Sequence, residues 1–163
     1  MTETERQAAI EAIKQLKARY FRCMDTKDWD GLRTIFAPDA VYDATDAVRN
    51  GSGDDTLHQK LGPEWINRGG DNIADFIQRA VQDVSTVHHG HMPEIEIVSP
   101  TQARGVWAME DANRKYENGR LVRSLHGFGH YWETYEKIDG RWFIKTSRLT
   151  RLRVDVQEFG DTA

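Results

Sequence analysis

QARGVWAMEDANRKYENGRLVRSLHGFGHYWETYEKIDGRWFIKTSRLTRLRVDV, residues 102–156, is the stretch that decides the fold. Two dipeptides interrupt it, Asn118-Gly119 and Asp139-Gly140, and both accept the positive φ that a type I′ hairpin turn requires. They separate strands over 102–115, 121–138 and 141–156, which such turns make antiparallel. A fourth strand, 88–98, precedes them. Strands this long curl, and Gly90, Gly105, Gly127 and Gly129 mark places for a bulge or bend.

Upstream of the strands the apolar period changes from two residues to between three and four. Over 4–25, Ile10, Ile13, Leu16, Tyr20 and Met24 recur at helical steps, one face of an amphipathic helix. Asp28 is placed to cap a short second helix carrying Trp29, Leu32, Ile35 and Phe36, stopped before Pro38. A short strand follows at 40–45. Residues 46–70 are rich in Gly, Asp and Asn and lack clear periodicity, as a flap would, with Trp65 able to fold locally. Asp71 or Asn72 can cap a third helix through Val84, with Ile73, Phe76, Ile77, Ala80, Val81 and Val84 on one face. The expected fold class is α+β: a cone-shaped barrel of strongly curved, mainly antiparallel sheet, with N-terminal helices packed on it and a pocket enclosed.

The chain has 163 residues, which fits one domain over 1–163, with 46–70 as its flap and 157–163 as a tail. Aromatics at 10% and a net charge of only −4 exclude a disordered chain and offer no electrostatic footprint for nucleic acid. No apolar run approaches the ~20 residues that span a membrane. The polar start, Met1 to Ala9, lacks the apolar core of a signal peptide, so a cytoplasmic location is expected. A single cysteine, Cys23, rules out an internal disulfide framework and a cysteine-based zinc site.

Chemistry-bearing residues gather in few places. His88, His89 and His91 lie within four residues. Strand alternation lets only His89 and His91 share a face, two ligands at most, so no metal is expected there even with His126 or His130 on a later strand. A histidine acting as acid and base needs a carboxylate to fix its tautomer, and Asp25 closes the first helix. Tyr20 and Asp25 are offset by roughly 140° on the helical wheel, so both line one cavity only if the helix ends near Asp25. Trp107, Met109 and Asp111 alternate onto one face of their strand. Near the end, Arg148, Arg151 and Arg153 read as a solvated edge unless one arginine turns inward to anchor an oxygen.

Four blocks carry a resemblance: Tyr20-Phe21-Arg22-Cys23-Met24-Asp25 with Trp29-Asp30; HHGHMPEIEI at 88–97; GVWAMED at 105–111; and YEKIDGRW at 135–142. In order and together, they resemble the SnoaL-like members of the nuclear-transport-factor-2-like superfamily, and within that group the bacterial bile-acid 7α-dehydratases most. The resemblance implies a dehydratase without metal or organic cofactor, acting on a hydroxysteroid, bile-acid-like molecule or other polycyclic ketone. It implies Tyr20, Asp25, His88, Asp111 and Arg151 as catalytic residues. Phe36, Tyr42, Trp107 and Met109 suit the apolar wall of a flat substrate. The alternatives are a ketosteroid-type isomerase, a polyketide cyclase or a non-catalytic small-molecule binding domain. The expected partners are the apolar substrate and further copies of the chain, a trimer before a dimer, with no nucleic acid and no membrane. One conflict stands. Strict alternation puts His88 on the face opposite Ile95 and Ile97, and only a bulge at Gly90–Pro93 reconciles them; His89 and His91 are the fallbacks.

Overall fold

Thr2 starts the first helix, α1 (Glu3–Asp25), with a capping box: its hydroxyl accepts the Glu5 N–H at 3.2 Å while the Glu5 carboxylate accepts the Thr2 N–H at 2.7 Å. In the computed structural model, which describes residues 1–47 and 61–160, α1 ends at Asp25, as the shared cavity requires, and Lys27 beyond it takes a left-handed φ of 61°. Helix α2 (Trp29–Arg33) opens on the Asp28 carboxylate, which accepts the Gly31 N–H at 2.9 Å.

Helix α2 is shorter than its apolar period suggests. Residues 34–36 do not continue α2, because the Ile35 carbonyl accepts the Ile144 N–H at 3.0 Å and docks the chain on the last strand. Phe36 instead opens β1 (Phe36–Asp46), earlier than position 40. Pro38 is tolerated there because it falls in a register shift between Phe36 and Val41, where no ladder donor is missing. Part of the expected flap is also regular: Pro63–Trp65 form a 3-10 turn and β2 (Ile66–Arg68) pairs antiparallel with β1. Residues 48–60, the rest of that flap, and 161–163 of the tail lie outside the described residues. Helix α3 (Gly70–Val81) starts from Gly69, which has a φ of 88°, and Asn72 turns its amide to the Arg68 carbonyl rather than capping. Val84 is not on α3; it pairs with Lys115 and starts β3 (Val84–Ser99).

The three remaining strands are β4 (Gln102–Glu117), β5 (Arg120–Ile138) and β6 (Arg141–Glu158). Asn118 (φ 51°) with Gly119 (78°) and Asp139 (48°) with Gly140 (81°) form the two hairpin turns foreseen. The six strands run in the order β2-β1-β6-β5-β4-β3, all antiparallel except β1 beside β6. Shifts in register bend the sheet, which curves around the helices but stays open, with β2 and β3 as its two edges. Helix α1 packs on β3 and β6, and α3 on β1. Between the layers lie Ile13, Leu16, Tyr20, Met24, Ile73, Ile77, Tyr131, Tyr135 and Ile144, each buried.

Candidate active site

The histidine block acquires its geometry from one extra residue. Gly90 pairs with Met109 and Pro93 with Trp107, so three steps along β3 meet two along β4. This bulge reverses the phase of β3. His88 pairs with Asp111 and therefore shares the inner face with Ile95 and Ile97, which pair with Gly105 and Ala103. Glycine fits the bend for a second reason: a Cβ on Gly90 would come within 2.6 Å of Phe21 Cε2.

On that inner face the His88 side chain, 6% exposed, meets Asp25. Nδ1 lies 2.6 Å from Asp25 Oδ1, and the His88 backbone N–H donates to Oδ2 at 2.8 Å. The Thr86 hydroxyl donates to Oδ1 at 2.9 Å. Burial pushes the Asp25 carboxyl up, but the His88 ring and backbone hydrogen bonds, the imidazole charge and Thr86 outweigh it and hold the group below the ordinary carboxylate value. An ionised carboxylate only accepts, so Nδ1 carries a proton, and in the neutral imidazole Nε2 keeps the lone pair. Phe21 stacks on the imidazole at 6.1 Å, interplanar angle 11°, and fixes its plane.

His88 Nε2 lies 4.0 Å from Asp111 Oδ2. Of the three arginines near the end, one turns inward. Arg151 is 9% exposed and grips Asp111 twice, Nη1 to Oδ1 at 2.5 Å and Nη2 to Oδ2 at 3.0 Å, while its Nε donates to the Ala47 carbonyl at 2.9 Å. Arg148 instead pairs with Asp46 and Arg153 with Asp155, both at the surface. Burial opposes the Arg151 charge, but the Asp111 hydrogen bonds more than offset it and raise the guanidinium further. Gly127 faces this pair, and a Cβ there would collide with both Arg151 Nη1 and Asp111 Oδ1. Gly127→Ala is therefore expected to displace the pair and cost about 1–3 kcal/mol, read as a lower urea midpoint.

Tyr20 is 1% exposed, and its hydroxyl has no hydrogen-bond partner among the described residues. Burial first, then the neighbouring Tyr131 and Tyr42 phenols, raises it well above its ordinary value, so it stays a proton donor. Tyr42 is likewise pushed by burial to about 12. Phe36 meets the Tyr20 ring edge-on at 5.9 Å, and Met109 Sδ lies 3.5 Å from Arg151 Nη1. Trp107 is buried on the same face, its indole N–H donating to the Tyr135 hydroxyl at 2.8 Å.

The described histidines next to Glu110 are elsewhere. His89, His91 and His126 sit half exposed around Glu110 on the outer face, at 3.5, 3.7 and 3.0 Å. Among the described residues no three such side chains are grouped to hold a metal ion. A trough of about 750 Å³ also opens on that outer face, lined by Arg104, Val106, Trp132, Thr134 and Arg148, away from His88.

The sequence reading missed a second buried charge pair. Lys17 and Glu133, both side chains fully buried, meet at 2.6 Å. Ser147 and Tyr135 hydroxyls donate to the same carboxylate, at 2.9 and 2.5 Å. Lys17 Nζ sits over Tyr131 at 3.6 Å and Tyr20 at 4.3 Å from the ring centroids. The available signal was phase: Lys17 lies on the apolar face of α1, four residues after Ile13, and Glu133 lies between the inward Tyr131 and Tyr135.

Helices on an open curved sheet, with a carboxylate-paired histidine on the concave side, define the class of α+β cones with an internal polar site. The chain belongs to the SnoaL-like domain family, whose match runs over residues 5–148. It is 27% identical over 145 residues to the probable cyclase FGR4 of Gibberella zeae, covering 88% of this chain and 91% of that protein. Among solved structures it is similar to a scytalone dehydratase-like protein of Novosphingobium aromaticivorans, with a TM-score of 0.74 and 18% identity over 99% of this chain and 95% of that one. A type 2 hexachlorocyclohexane dehydrochlorinase gives the same TM-score and identity over 99% of both chains. At that identity the two structures share the fold. No helix among the described residues is long and apolar enough to cross a membrane.

Proposed function

We propose that the chain is a lyase-type enzyme acting on a small molecule, and specifically a dehydratase that removes water from a hydroxysteroid, bile-acid-like molecule or related polycyclic ketone. The observation that carries this reading is the 2.6 Å contact between Asp25 Oδ1 and His88 Nδ1, which leaves Nε2 as a buried base. A hydroxyl β, or vinylogously β, to a carbonyl is eliminated once the intervening C–H is acidified. His88 Nε2 takes that proton, and Asp25 balances the imidazolium. The electron pair of the C–H bond forms the new C=C as the C–O bond breaks. The imidazolium then protonates the departing hydroxide, which leaves as water and returns His88 to its starting state. Tyr20 donates its hydroxyl proton to the carbonyl oxygen as charge develops there. Asp111 and Arg151 position the substrate, and Phe36, Tyr42, Trp107 and Met109 supply apolar walls.

The relatives favour chemistry of this type without choosing within it. A dehydratase, a dehydrochlorinase and a cyclase are all compatible with one base beside one hydrogen-bond donor, and the cyclase FGR4 makes cyclisation the second reading. The deciding experiment incubates the pure protein, with and without chelator, with a 7α-hydroxy-3-oxo-4-ene steroid. Elimination extends conjugation, so a red-shifted ultraviolet band is expected, unchanged by the chelator. Tight binding of this and related hydroxysteroids with no new band would overturn the dehydratase reading in favour of a binding domain.

A further inference from the structure

The turn that ends α1 carries a side chain that the proposed mechanism does not use. Lys27 holds a φ of 61°, a left-handed conformation that glycine or asparagine adopts more readily than lysine. Its backbone N–H makes only a long bond, 3.3 Å to the Met24 carbonyl. The side chain is only partly exposed, and its ammonium donates to the Thr86 hydroxyl oxygen at 3.1 Å. The same hydroxyl donates its proton to Asp25 Oδ1 at 2.9 Å, and that oxygen also receives His88 Nδ1 at 2.6 Å. A chain of donors thus runs from Lys27 Nζ through Thr86 to Asp25 Oδ1, which accepts the imidazole N–H from the other side.

We infer that Lys27, acting through Thr86, is a positioning residue that sets the orientation and proton affinity of the Asp25–His88 pair. The polarity of the chain gives its direction. The ammonium polarises the Thr86 hydroxyl, which becomes a stronger donor to Asp25. The carboxylate then gives less of its charge to the imidazole, and the imidazolium is stabilised less than it would be by an unaided aspartate. This moderates a site in which two carboxylates flank the imidazole. The groups facing His88 are Asp25 at the end of α1, Lys27 behind it, Asp111 on β4 and Arg151 on β6. Arg151 is committed to Asp111 at the Nε2 side, so Lys27 supplies the counterweight at the Nδ1 side. It also holds Thr86 against Asp25 Oδ1, the oxygen that the imidazole shares, while the His88 backbone N–H occupies Oδ2.

This inference rests on the Asp25–His88 pair acting as acid and base, so its test reads the imidazole directly and needs no substrate. The His88 ring is titrated by nuclear magnetic resonance in the wild type and in Lys27→Gly, Thr86→Val, the double variant and Asp25→Asn. Lys27→Gly removes the backbone strain and leaves the fold as stable as before or more so. It is nevertheless expected to move the His88 midpoint up by about half a pH unit, because a nearby cation has been lost. Thr86→Val raises the midpoint likewise, and the double variant raises it no further than Thr86→Val alone, as a relay requires. The acid limb of any pH–rate profile moves up in step. A midpoint unchanged in Lys27→Gly, with a shift in Asp25→Asn, overturns the inference and leaves the acid–base pair standing. Additive shifts in the double variant overturn the route through Thr86. A midpoint that Asp25→Asn also leaves unmoved overturns the acid–base reading itself.

Discussion

His88→Ala is expected to lower kcat/KM for steroid dehydration by about 10³–10⁴-fold, the upper range for one acid–base group, while the fold survives. The expectation follows from the two jobs that the mechanism gives one imidazole, taking the C–H proton and returning it to the leaving hydroxide. The structural cost is small by comparison. Asp25 keeps two of its three partners, the His88 backbone N–H and the Thr86 hydroxyl, because the backbone donor survives the substitution. One lost hydrogen bond and a small gap beside Phe21 cost about 1–3 kcal/mol, visible as a modest fall in thermal midpoint. The ultraviolet assay and a thermal melt on the same sample separate the two effects. Turnover that persists at the wild-type rate in a folded His88→Ala protein removes His88 from the mechanism, and the proposed site with it.

The second large effect is on stability. Lys17→Met leaves the Glu133 carboxylate buried without its counter-charge, and Glu133→Gln does the same to the Lys17 ammonium. Breaking a buried pair by removing one partner costs about 3–5 kcal/mol, a large share of the 5–15 kcal/mol by which domains are stable. The double variant Lys17→Met/Glu133→Gln removes both charges and keeps an amide for the Ser147 and Tyr135 hydroxyls to meet. It is expected to be more stable than either single variant. Urea unfolding of the four proteins checks this as a double-mutant cycle, and simple additivity would show that the charges do not depend on one another. Burial lowers the Lys17 ammonium below its ordinary value while Glu133 opposes that shift, so the lysine depends on its partner to stay charged. The pair also supports the site, since the ammonium packs on the rings of Tyr20 and Tyr131.

How much of this was legible in the sequence differs by element. Helix α1 and the two hairpin turns could be read because their signals are local: apolar residues at helical steps, and Asn-Gly and Asp-Gly where φ must be positive. The boundary near Ile35 could not, since the chain leaves the helix to accept a hydrogen bond from Ile144, more than a hundred residues away. The start of β3 at Val84 was hidden for the same reason, because its pairing with Lys115 decides it. In the site, Tyr20, Asp25, His88, Asp111 and Arg151 could be named only through the family resemblance, not from period or spacing. Thr86 and Lys27 could not, as each owes its place to a partner on another element, and Lys17 and Glu133 showed only by their phase.

The sequence by itself determined α1, the outline of α3 and the long strands, which of those strands are hairpin neighbours, and the blocks that mark a SnoaL-like domain. It did not determine which of three neighbouring histidines faces Asp25. Strand alternation alone puts His88 on the wrong side, and only the pairing of β3 with β4 admits the extra residue between Gly90 and Pro93 that turns it inward. Tertiary structure likewise chose Arg151 over Arg148 and Arg153, and joined Lys17 to Glu133. Period and propensity act within a few residues, whereas the register of one strand on the next is set by burial and ladder hydrogen bonds across the sheet.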